Sequence, residues 1–299
     1  MSRCLGQGLS EYSIIGALIV VITVPALVLM GNNLKLSFNT LLPARKPTIS
    51  IVQSPAPVAQ PQGAGNVSAV PVPNQIHLIT AKGSRILIQT ESKPLNEVLR
   101  TAGANGATAT LADRIRSIAE QLQAGGDITA TQAGSLIALA NQGHRLGTIM
   151  GLMEQAASNS RNNDEFDRTT VIFEGKHISI EKLENGLGFE SMDYGEMPRD
   201  PLNMSLKPYK ETGAFIKAYQ KAQNQGAMDD PQIKSVVQGL ASEIVMITVA
   251  MDNAQWASSA GDIKPITLLD HAASAITHAD SAGICLNGKA KDSGIQCVE

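Results

Sequence analysis

The sequence predicts an α+β chain that is mostly helical: an N-terminal transmembrane helix, a proline-rich linker, and a helical head domain carrying two β-hairpins. Three observations predict it. Residues 12–30, YSIIGALIVVITVPALVLM, contain no charged side chain. Residues 47–75, PTISIVQSPAPVAQPQGAGNVSAVPVPNQ, are dominated by Pro, Ala, Val, Gly and Gln. Beyond them, apolar residues recur mostly at steps of three and four, the period of a helix with one buried face, with two short alternating stretches between.

The first element follows from length. A helix of ~19 residues rising ~1.5 Å per residue covers about 28 Å, enough to cross a hydrocarbon core of ~30 Å. Pro25 falls inside the run, where a membrane helix tolerates a kink better than a soluble one. A secretory signal peptide has a shorter apolar stretch followed by an A-x-A-like site, and residues 29–34, LMGNNL, offer none. A lipoprotein signal places its cysteine after the apolar run, whereas Cys4 precedes it. A plain anchor fits the length but gives no reason for the polar head or for Glu11 at the seam.

The second element, residues 35–75, reads as a linker, extended and partly polyproline-like. It holds the third element, the head over residues 76–299, away from the membrane. In the head, residues 76–90 alternate around Lys82-Gly83-Ser84, and residues 169–182 do so around Gly175; both read as β-hairpins. Leu111, Ile115, Ile118 and Leu122 share one helical face. Asp127 or Thr129 can cap the next helix, whose stripe is Leu136, Leu139, Leu146, Met150 and Met153. Gly134, Gly143 and Gly147 within it permit close helix packing at some cost in propensity.

A further helix is expected over about 206–224, around Phe215 and Tyr219. The most regular stripe is Ile233, Val237, Leu240, Ile244, Ile247, Met251 and Ala254, with Asp230-Pro231 as its start. The last helix covers about 265–281, and residues 183–205 read as loop.

Composition bounds the function. Of the 299 residues, 43% are hydrophobic but only 3% aromatic, so the core rests on aliphatic side chains and methionine. The net charge of −3 is scattered, and no basic patch points to nucleic acid. No G-x-S-x-G, P-loop or C-x-x-C is present. His271 and His278, flanked by Asp270 and Asp280, share a helical face, but helical zinc pairs sit at four-residue spacing, so a solvated face is the expected reading. No catalytic residue, cofactor or metal is expected, and the chain is not expected to be an enzyme.

Residues 6–12, Gly-Gln-Gly-Leu-Ser-Glu-Tyr, place a glycine, then four residues, ahead of a Glu-Tyr pair that opens the apolar run. This resembles the processing site of type IV prepilins, and the Glu-Tyr pair is most similar to the Flp-type (type IVb, tight-adherence) pilins. The resemblance covers about residues 1–31. It implies that a membrane prepilin peptidase cuts between Gly6 and Gln7, removing residues 1–6 as a leader. Residues 7–34 are then a filament helix that packs against other pilin subunits, with Glu11 and Tyr12 as assembly contacts. The chain would sit in a bacterial inner membrane as a single-pass precursor and in a periplasmic or cell-surface filament afterwards.

The glutamate has a physical rationale. A charge at the edge of hydrocarbon is costly unless paired. The cut creates an amine on Gln7, which the Glu11 carboxylate of a neighbouring subunit can meet, fixing axial register.

Loss of the leader also takes Cys4, and with Arg3 it moves the net charge from −3 to −4. Cys285 and Cys297 then form an even pair in an exported domain, which reads as a disulfide. It closes a short terminal loop, a constraint of about 3 kcal/mol in the chain-entropy picture. The loop is similar to those on many type IV pilin heads, and reads equally as a staple for the terminus.

Two features depart from the family. Flp-type pilins end soon after the helix, whereas this chain continues into a large head. Lys35, Arg45 and Lys46 follow the span against Arg3 before it, opposite to the charge bias of an N-in segment. The alternative reading is a single-pass, envelope-anchored binding protein.

Overall fold

The structure, a computed structural model, describes residues 75–89, 93–190, 192–193, 195–202 and 205–281. The leader with Gly6 and Gln7, the apolar segment with Glu11 and Tyr12, the linker, and the Cys285–Cys297 loop lie outside the described residues. What is described is the head, and it is mostly helical with two small antiparallel hairpins.

The first hairpin pairs β1 (Gln75–Ile79) with β2 (Arg85–Gln89), Ile79 opposite Arg85. Ile86 and Ile88 point into the core while Arg85, Leu87 and Gln89 face out. The backbone of Leu87 is not left bare. The Gln121 amide donates to its carbonyl at 2.9 Å and accepts from its N–H at 2.8 Å, as a neighbouring strand would.

Helix α1 (Leu95–Ala124) and helix α2 (Ala130–Asn159) run antiparallel and form the largest helix contact of the head. The α1 stripe expected from sequence is buried in full, as is that of α2. Gly143 and Gly147 bring α2 close to α1: an added Cβ would lie 3.1 Å from Ala112 and 3.2 Å from Thr108 respectively. Gly134 faces open space instead, so the expected packing role does not hold there. Thr129 is the cap. Its hydroxyl accepts from the Gln132 N–H, and the Gln132 side chain accepts from the Thr129 N–H at 2.8 Å. Asp127 instead accepts from the Thr80 hydroxyl at 3.0 Å.

The sequence does not announce two short helices, α3 (Asn163–Arg168) and α4 (Ile180–Glu184). Between them lies the second hairpin, β3 (Thr170–Phe173) and β4 (Lys176–Ser179). Its strand ends earlier than the expected 182 because Ile180 turns inward, fully buried, and opens α4. The two-residue turn, Glu174-Gly175, has positive φ at both positions, as a tight hairpin requires.

Helix α5 (Lys210–Asn224) begins four residues later than expected. Pro208 pairs with Phe189 in an isolated bridge, and Lys207 accepts from the Glu190 N–H, so the preceding backbone is held extended. Helix α6 (Pro231–Ser259) is the central element, flanked by α1 and by the last helix, α7 (Leu268–Ser281), which follows a 3-10 turn at Pro265–Thr267. Every residue of the expected α6 stripe is buried. Asp230 caps it, accepting from the N–H groups of Gln232 and Ile233, while its second oxygen accepts from Ala81 at 2.7 Å and ties on the first hairpin. Among the described residues, α6 is the one helix long and apolar enough to cross a membrane; 67% of its most apolar window is buried within the head, as befits a core helix.

Candidate functional site

The C-terminal end of α6 is polar and yet buried: Asp252 is 8% exposed and Asn253 5%. Each polar group there has a task. The Asn253 amide donates to the Glu196 carbonyl at 3.1 Å and lies 3.8 Å from the Met197 sulfur. The Ser258 hydroxyl donates to Asn163 Oδ1 at 3.0 Å, and the Asn163 amide donates back to the Ser258 carbonyl. These bonds fasten α3 and the connection between α4 and α5 onto the core helix. Asp252 lies against the backbone of Gly188, whose φ is +74°; a Cβ there would overlap the carboxylate. The Trp256 indole N–H donates to Asp252.

Glu184, the last residue of α4, is 7% exposed, and its Oε2 has no hydrogen-bond partner. Asp167 of α3 likewise buries an unpartnered Oδ1. The charges that act on Glu184 are Asp167, Glu181 and Asp252, all negative. Among the described residues no ion pair reaches Asp167, Glu184 or Asp252.

An isolated buried carboxylate neutralises rather than stay charged. Burial pushes Glu184 up to about 8, and the three neighbouring carboxylates push the same way. Burial also takes Asp252 to about 7 against the opposing bond from Trp256. It raises Asp167 too, with Glu181 and Asp164 adding to the effect. Glu184 and Asp252 therefore hold their protons toward neutrality, and Glu184 is coupled to both of the other carboxyls.

A second polar junction differs in kind. The Arg145 guanidinium donates from Nε to Glu211 Oε2 at 2.8 Å, ion-pairs with Glu174, and lies 4.7 Å over the Phe173 ring. Burial works to raise Glu211, but Arg145 and Lys210 outweigh it and hold the carboxyl below its usual range. The junction clamps the second hairpin to α2 and α5.

Of the candidate residues in the described part, His271 is half-buried and His278 exposed on α7. His278 Nδ1 meets the Ser274 carbonyl at 2.8 Å. His144, isolated in sequence, meets Asp113 across the α1–α2 pair at 2.8 Å. Among the described residues no group of three His, Cys, Asp or Glu side chains is placed to hold a metal ion. Comparison with known families, with curated proteins and with solved structures finds no match. The carboxylate cluster has no local motif, since its members come from three elements. One signal was legible: Asp252 interrupts the apolar run IVMITVAM on an otherwise buried face.

Proposed function

We propose that the chain is a pilin-like subunit, a minor pilin or pseudopilin of a type IV or tight-adherence pilus or related secretion filament. It is matured by a prepilin peptidase and displays its head for binding or adhesion. The spacing of Gly6, Gln7, Glu11 and Tyr12 ahead of an uncharged span carries this reading. N-terminal sequencing of the mature chain should find Gln7 first; finding Met1 would overturn the proposal. Replacing Gly6 with a bulky residue should block the cut and assembly together, and Glu11→Val should permit the cut but not assembly. Thiol labelling of the unreduced, denatured mature chain should label neither Cys285 nor Cys297.

The cations after the span, Lys35, Arg45 and Lys46, favour a second reading, a single-pass anchored binding protein outside any filament. That protein would be indifferent to the Gly6 replacement.

A further inference from the structure

We propose that Asp167, Glu184 and Asp252 form a proton-dependent latch: with its carboxyls neutral, the connection between α4 and α5 lies packed on α6, and alkali, by charging them, lets that connection lift from the apolar side chains beneath it. The geometry has three parts. Glu184 and Asp167 bury oxygens that no donor reaches. The Asp252 carboxylate lies so close to the Gly188 backbone that a Cβ on that residue would overlap it. The connection itself buries Leu187, Phe189, Met197 and Leu202 against the core. A neutral carboxyl is tolerated in that setting; an unpaired carboxylate demands water, and water reaches it only if the connection moves.

The charged surroundings offer no compensation. From α4 come Glu181 and Glu184, from α3 Asp164 and Asp167, and from α6 Asp252. Tyr209, at the far end of the connection, lies near both Asp252 and Glu190, and Lys207 is ion-paired to Glu190. Toward α2 and α5 the charges are Arg145 and Glu211, which hold each other, with Arg145 also bound to Glu174. Each step of opening releases a proton from a carboxyl group to solvent base and leaves a carboxylate. The burial-driven rise of Glu184 and Asp252 toward neutrality places the transition between the ordinary carboxylate range and about 8. The hydrogen bond from the Asn253 side-chain amide to the Glu196 carbonyl does not titrate, so the opening is confined to the stretch beside Gly188.

The test uses the full chain in detergent micelles. Hydrogen exchange, corrected for its intrinsic base catalysis, compares peptides covering Leu187–Glu190, where Leu187 and Glu190 donate backbone bonds, with peptides of α1. Between about pH 6 and about pH 8.5 the connection should lose protection by at least ~10-fold, the effect of one pKa unit, while α1 is unchanged. A hydrophobic dye should bind over the same range. Trp256 is the only tryptophan in the chain and donates to Asp252, so its emission should titrate in step.

Glu184→Gln should suppress the response, and Asp252→Asn serves if that variant does not fold. Glu243→Gln, which faces Arg114 on α1 instead, should leave it intact. Equal protection of the wild-type connection at both pH values would overturn the latch, as would a Glu184→Gln chain that responds like wild type. Restoration of protection at high pH by calcium would also overturn it, and would identify a cation site.

Discussion

At the scale of single residues, the sharpest constraint sits inside α1. Gly103 adopts φ 72° and ψ 168°, a region open essentially to glycine alone, and the helix is broken there. The break leaves a fresh N-terminus within the helix, and Glu154 of α2 supplies the acceptor, taking the Ala104 N–H. Burial lifts the Glu154 carboxyl while that bond opposes the rise. An alanine at 103 would be strained, and its Cβ would fall 2.7 Å from Glu154 Oε2. Gly103→Ala should therefore destabilise the head by about 1–3 kcal/mol or more, read as a lowered denaturation midpoint. Glu154→Ala should cost about 1–3 kcal/mol by orphaning the N–H, whereas Glu154→Gln keeps an acceptor and should cost less. None of this was visible in TAGANGATAT, because a glycine among alanines gives no sign of which neighbour caps the break.

At the scale of elements, helices long enough to repeat their stripe were readable and short ones were not. The α2 and α6 stripes span several turns, and the caps at Thr129 and Asp230 stand where Ser, Thr, Asp or Asn caps belong. By contrast, α3 and α4 have six and five residues, too few to display a period. The start of α5 was displaced by a tertiary pairing, Phe189 with Pro208, that no local rule contains. Thr129→Ala should cost about 1 kcal/mol, since it removes half of a reciprocal cap. Asp230 binds both its own helix and the first hairpin. Burial tends to raise its carboxyl, but the N–H donors of Ala81, Ile233 and Gln232 outweigh it and hold it low. Its contribution is present above the usual aspartate range and is lost as the pH falls through the depressed value. Asp230→Asn should thus weaken the hairpin contact and flatten the acid limb of a pH–stability curve.

At the scale of the whole molecule, the buried acids set the opposite limb. Glu184 is raised to about 8, and Asp252 and Glu243 to about 7, in each case first by burial; Arg114 opposes the shift of Glu243. The folded state holds protons that the unfolded chain releases, so the contribution of these three acids is greatest in acid. It falls as the pH rises from the ordinary carboxylate range to about 8. Thermal melting across that interval should show the decline, and Glu184→Gln with Asp252→Asn should lessen it. The sequence foretold a mostly helical head with two hairpins, because periodicity is a local property. It did not foretell the acid cluster, because desolvation is a property of what packs on top.

The central helix has one more consequence, for the life of the chain before the head closes. A bilayer or an insertion channel judges a segment by length and polarity, and α6 is long and apolar enough to pass that judgement. Folding must therefore claim α6 before any bilayer can. Chain order favours folding: α1, the partner of one α6 face, is made well before it, while α7 arrives after. A chain ended after Ser259 would leave the α7-facing side of α6 bare. Such a chain, even without residues 1–34, should be recovered with membranes, whereas one that retains α7 should not.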